Sequence, residues 1–177
     1  TPRTNLKVAN FTAIQPVVSS DNEAADQAAT LFRGNSDVTL INGVFVVPNN
    51  ECIRMNGSGT TPSTLTPRAV VMQCNATKFI GSGTYTASQV SGFFGSGANA
   101  NNDAFTPTLS GLFINGTNET GVAAIDAKTL ATFFDTTTWV GAVRNSTDNW
   151  YAGWTCNSST ADFGTGNTGS CATLPTT

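Results

Sequence analysis

Apolar residues fall into short runs bounded by Gly, Asn, Pro and Ser, the pattern of a chain built from strands and turns. The runs occupy 8–14, 38–47, 52–55, 69–74, 109–114 and 139–143, and most are rich in Val, Ile, Phe and Thr. In VTLINGVFVVPNN (38–50), polar and apolar residues alternate at Val38-Thr39-Leu40 and then give way to a continuous run from Val44 to Val47. Such a run predicts a strand covered on both faces. Helical patterns are few. Segment 21–32 has acids in its first turn and alanines behind, which predicts a short helix. Segment 86–94 predicts one or two turns capped by Thr86 or Ser88. Segment 123–134 predicts a helix capped by Asp126 with Leu130, Phe133 and Phe134 on one face. Segments 56–67 and 95–105 read as loops.

The runs at 8–14, 38–47, 69–74 and 109–114 each lie beside an Asn-Gly or Asn-x-Thr turn, at intervals of roughly 30 to 40 residues. This recurrence is that of a stacked-rung solenoid with insertions. An antiparallel β-sandwich also has many short strands and turns, and the pattern leaves both architectures open.

Composition narrows function more than fold. The 177 residues include no His, so a Ser-His-Asp triad, a Cys-His dyad and a histidine-ligated metal are excluded. Charged residues are 11% of the chain, against ~25% in an ordinary soluble domain. The eight Lys and Arg are scattered and the net charge is −3, which argues against a nucleic-acid surface. No run reaches the ~18 apolar residues of a membrane span. Cys52, Cys74, Cys156 and Cys171 form an even set in a Lys-poor, Thr/Asn-rich chain, which fits an oxidising, extracellular setting. Their separations of 22, 82 and 15 residues lack the short paired spacing of a zinc site. Twenty-two residues approximates one solenoid rung, so Cys52 is expected to stack on and pair with Cys74. Cys156 with Cys171 then anchors the polar tail. Seven Asn-x-Ser/Thr sequons occur, against roughly four expected by chance from so much Asn, Ser and Thr, so composition largely accounts for them.

The C-terminal third carries a resemblance. Thr129–Phe134, then Trp139-Val140-Gly141-Ala142, then Asp148-Asn149-Trp150-Tyr151-Ala152-Gly153-Trp154-Thr155, resembles the closing segment of a family of bacterial surface proteins and lipoproteins with right-handed parallel β-helix repeats. VANFTAI, LFRGNSDVTLINGVFV and ECIRMNG are similar to its rungs. The resemblance implies an all-β, right-handed parallel β-helix with a short helix and an aromatic C-terminal cap, and a surface location. It transfers no reaction and no catalytic residue. Residues 1–177 are expected to form one β-helical domain, with rungs over 1–122 and a helix plus cap over 123–177, as the C-terminal part of a longer chain.

Candidate chemistry is sparse. Trp150, Tyr151 and Trp154 can stack on sugar rings or bury the edges of a last rung. As a cap, Trp150 and Trp154 would be largely buried near Phe133 and Phe134. Asp21, Glu23 and Asp26 cluster, but without a D-x-D-x-D-G pattern they read as helix N-terminal charge and not as a calcium site. Asp103, Glu119 and Asp135 stand alone, and Arg33, Arg54 and Arg68 lie outside any acid-rich motif. Gly81-x-Gly83 and Gly95-x-Gly97 read as turns, lacking a phosphate loop's ending. No metal or cofactor is expected. The residues favour a non-enzymatic extracellular structural or adhesive surface module. The alternative is a polysaccharide-binding or polysaccharide-cleaving β-helix. The N-terminal strand carries apolar residues and no polar capping repeat, so its rung should be covered by preceding rungs or by another subunit, giving an oligomer or filament.

Overall fold

The computed structural model describes residues 2–18, 28–159 and 161–173. Among the described residues, six strands alternate between two sheets. Three long strands, β1 (Thr4–Ile14), β3 (Ser36–Val47) and β5 (Thr64–Cys74), form one parallel sheet in the order β1-β3-β5. Three short strands, β2 (Thr30–Arg33), β4 (Ile53–Asn56) and β6 (Phe79–Ser82), form a second parallel sheet in the order β2-β4-β6. The chain is thus mostly strand with little helix, and each strand pairs with the one two before it. Neither sheet has the antiparallel ladders of a β-sandwich.

A single backbone feature organises the long strands. Asn10 (φ 51°), Asn42 (φ 52°) and Ala69 (φ 50°) are left-handed. The register places Ala9 beside Ile41 beside Arg68, and Phe11 beside Gly43 beside Val70, so the three left-handed residues form a column. Side chains of a strand alternate between faces, and one left-handed residue shifts that alternation by one position. Val38 and Leu40 therefore share a buried cluster with Phe45 and Val47, and Leu65 shares it with Val70 and Met72. Gly43 leaves room beside this column: a Cβ there would lie 2.2 Å from Cζ of Phe11, so that ring, which packs edge-on against Phe45, would have to shift.

The first core lies between the two sheets and includes Phe45, Val47, Cys52, Ile53, Met55, Val70 and Met72, all essentially inaccessible. Each such side chain contributes about 1.5–3 kcal/mol by leaving water. Helix α1 (Ala87–Phe94) adds Val90 and Phe94 to it, with the Phe94 ring 5.5 Å from that of Phe79. Thr86, one of the two caps expected for 86–94, closes a capping box with Gln89 at its start, and left-handed Gly95 ends it. A second core forms on the other face of the long-strand sheet, where Val44, Ala69 and Val71 meet Val140, Phe105, Val122, Ala124 and Ile125. The Val44 to Val47 run is continuous because both faces of β3 are covered.

Several local expectations differ from the structure. Of the helix expected at 21–32, residues 21–27 lie outside the described residues, and Thr30–Arg33 is strand β2, paired with Ile53–Asn56. The strands expected at 109–114 and 139–143 are turns joined by single bridges, Ser110 to Ile114 and Ile114 to Val143. Left-handed Gly111, Leu112 and Gly141 interrupt them. The helix expected at 123–134 is one 3-10 turn, Ala127–Thr129, though Asp126 does cap it by accepting from the Lys128 N–H. Gly81 lies within β6 and not in a turn.

Candidate functional site

The C-terminal third is pinned to the long-strand sheet by asparagines. Asn42 is fully buried; its Nδ2 donates to the Ile125 carbonyl at 2.7 Å and its Oδ1 accepts from the Ile125 N–H at 2.9 Å. Nδ2 also reaches Oδ1 of Asn10 at 3.3 Å, and Asn10 donates to the Trp139 carbonyl at 2.7 Å. The Gly141 N–H donates to the Asn42 carbonyl. Below Ala69, buried Asn101 accepts from the Val70 N–H and donates to the carbonyls of Pro67 and Phe94. Short side chains that tolerate the left-handed region and satisfy a neighbouring backbone make Asn suited to these positions.

The segment held this way walls a pocket of about 590 Å³ at the C-terminal end of β1. Thr12, Ile14 and Gln15 from the end of β1, Leu112 and Phe113, and Ala142, Trp150 and Tyr151 line it. Its aromatic frame is interlocked: the Phe113 ring lies 5.2 Å from Tyr151 and 4.8 Å from Phe163, and Tyr151 lies 6.3 Å from Trp150. Trp150 donates its Nε1 proton to the Ala142 carbonyl at 2.8 Å, which fixes the indole while leaving the residue 61% exposed. The Cys156–Cys171 disulfide and the Thr168-to-Thr155 backbone bond close the loop that contributes Thr155, Ala161 and Phe163.

Trp154 is 86% exposed and Phe133 90% exposed. The cap in which Trp150 and Trp154 are largely buried near Phe133 and Phe134 is therefore not what the structure shows; of these four only Phe134 is partly buried. The physical reason is competition for the apolar face. Val140 and Ile125 cover the outer face of the sheet, and Asn42 holds Ile125 and Gly141 there, so Trp150 and Trp154 are left outside. Of Trp150, Tyr151 and Trp154, Tyr151 alone is partly buried.

Both disulfides join the pairs read from spacing, Cys52–Cys74 and Cys156–Cys171. The first does not stack equivalent rung positions. Cys74 lies beside Val47 in one sheet, whereas Cys52 immediately precedes β4 and donates its N–H to the Lys78 carbonyl. The bond thus ties the end of the long-strand sheet to the start of the short-strand sheet.

Ionisable residues do not converge. Asp37 accepts from Arg3 Nε at 2.7 Å and from the Thr64 hydroxyl, and these bonds hold its carboxyl at about 2, below the usual 3.8. Lys78 pairs with Asp103 at 3.4 Å. Glu119 is fully buried and accepts from the Thr108 N–H, the Thr108 hydroxyl and the Gly116 N–H, which makes it a loop staple. Arg33, Arg68 and Asp135 are exposed, and Arg54 is partly buried on β4. Asp21, Glu23 and Asp26 lie outside the described residues. Among the described residues no three His, Cys, Asp or Glu gather as a metal site, and no helix is long and apolar enough to cross a membrane.

The asparagine column and the pocket were not read from the sequence. The one available signal was Asn42-Gly43 set inside an apolar run, which local rules read as a turn. No family model, no curated protein and no solved structure matches the chain.

Proposed function

We propose that this chain is a non-enzymatic extracellular surface module, structural or adhesive, built as a short parallel β-helix that assembles with further copies of itself. The strand alternation between two parallel sheets and the left-handed column support a coil, right-handed by the general rule for parallel crossovers. Two disulfides are compatible with an oxidising exterior. The observation that carries assembly is the asymmetry of the two ends. The β5 side continues into residues that bond it, with the Ala69 N–H donating to Asn99 and Met72 to Asn102, and α1 closes the core there. Among the described residues no strand pairs with the outer edge of β1, and Leu6 and Leu31 at that end are 44% and 40% exposed. Unpaired edges with apolar neighbours template strand addition. Electron microscopy of the concentrated chain should show end-to-end oligomers or filaments. Dispersed single particles at every concentration would overturn the proposal.

A second reading, polysaccharide binding, is favoured by the exposed, fixed indole of Trp150 beside the pocket. Cleavage gains no such support, because the pocket lining holds neither a carboxylate pair nor a basic side chain.

A further inference from the structure

We infer that the pocket beside Trp150 binds a neutral sugar ring, one unit of an uncharged polysaccharide. This rests on the polysaccharide-binding reading and names its ligand class. The volume, about 590 Å³, lies within the range of small-ligand sites. The lining is mainly apolar and, among the described residues, contains no Asp, Glu, Lys or Arg. A uronate or a sulfated sugar would enter without a counter-charge and lose its hydration, which is costly. A pyranose matches the lining instead, with an apolar C–H face for an aromatic ring and hydroxyls at its rim.

Gln15, Tyr151 and Thr12 supply polar groups to the lining for such a rim. Among the described residues, neither the Gln15 side-chain amide nor the Tyr151 hydroxyl has a hydrogen-bond partner. The Thr12 hydroxyl accepts from the Ala142 N–H and keeps its own proton to donate. Trp150 has the reverse character: its only donor is used on Ala142, so the ring face is what it offers. The indole is held in place before any ligand arrives, which lowers the cost of ordering it.

The test is calorimetric titration of the intact chain with cellohexaose, maltohexaose, laminarihexaose and hexagalacturonate. At least one neutral hexasaccharide should bind and hexagalacturonate should not. Trp150→Ala should weaken that binding about tenfold or more, and Gln15→Ala by several-fold. Trp154→Ala, outside the lining, should leave it within about twofold. Melting temperatures near that of the parent chain would certify that the variants fold. Binding lost in Trp154→Ala but kept in both Trp150→Ala and Gln15→Ala would overturn the pocket while leaving polysaccharide binding in place. Equal binding of hexagalacturonate would overturn the ligand class. Binding of none of the four would overturn the pocket proposal; a screen of further polysaccharides would then show whether polysaccharide binding itself fails.

Discussion

Replacing Asn42 by Ala tests whether the asparagine column holds the C-terminal third on the sheet. The substitution removes the two bonds to Ile125 and leaves that residue's N–H and carbonyl without their partner. Each unsatisfied group costs about 1–3 kcal/mol where water cannot reach it. Alanine in the left-handed region adds about 1 kcal/mol. The contact to Asn10 is long at 3.3 Å and adds little. Partial hydration of partly buried Ile125 offsets some of this, so the expected loss is about 3–5 kcal/mol, or roughly 6–20 °C in melting temperature for a chain of this size. Urea unfolding followed by tryptophan fluorescence measures it. Hydrogen exchange supplies the local readout, since the Ile125 amide should lose protection ahead of the amides of β3. Asn42→Asp keeps the acceptor but sets a carboxylate against the Ile125 carbonyl, so it should be no less damaging. A loss below about 1 kcal/mol for Asn42→Ala would refute the column as the main attachment.

Gly43→Ala should cost about 1–3 kcal/mol by driving a methyl into the Phe11 ring, and Phe11→Leu should recover part of that loss in a double-mutant cycle of denaturant midpoints. Asp37 has a lowered folded-state pKa, so its contribution is present above the unfolded value of 3.8 and is lost as pH falls toward about 2. Melting temperature between pH 4 and pH 2 should therefore fall less steeply in Asp37→Asn than in the parent chain. Under graded reductant, Cys156–Cys171 should open before Cys52–Cys74, because Cys171 is exposed and Cys52 fully buried; thiol alkylation with peptide mapping reads the order. Trp154→Ala should change stability by less than about 0.5 kcal/mol, since the side chain is 86% exposed.

Much of the ladder was legible because β-branched and aromatic runs bounded by Gly and Asn carry their own strand signal. Val38, Leu40, Phe45 and Val47 announce β3, and Thr86 marks the start of α1. The change of inward parity across Asn42 was not legible, since it depends on one backbone conformation whose partners lie on the neighbouring strand and in the distant C-terminal segment. The runs at 109–114 and 139–143 look like strands for the same compositional reason. Ile114 and Val143 instead pair with each other at a single bridge, and Val143 is buried without joining either sheet. The tryptophans misled in the opposite direction. Three indoles within sixteen residues look like core, yet the smaller Val140 fills the second core while Trp150 and Trp154 stay exposed. The pocket depends on residues from 12 to 163 meeting in space, and no local pattern records that.

The most direct test of assembly through β1 is the solution mass of the 177-residue chain by light scattering across concentration, beside Lys7→Pro. Thr4 turns its N–H toward β3, so by alternation Lys7 turns its own outward, and proline removes that donor while sparing the inner ladder, losing besides only the exposed Lys7 Nζ bond to the Leu130 carbonyl. The parent chain should rise above 18.3 kDa as concentration increases, and Lys7→Pro should remain at that mass with its fold intact. A parent chain that stays at 18.3 kDa at every concentration would contradict the account.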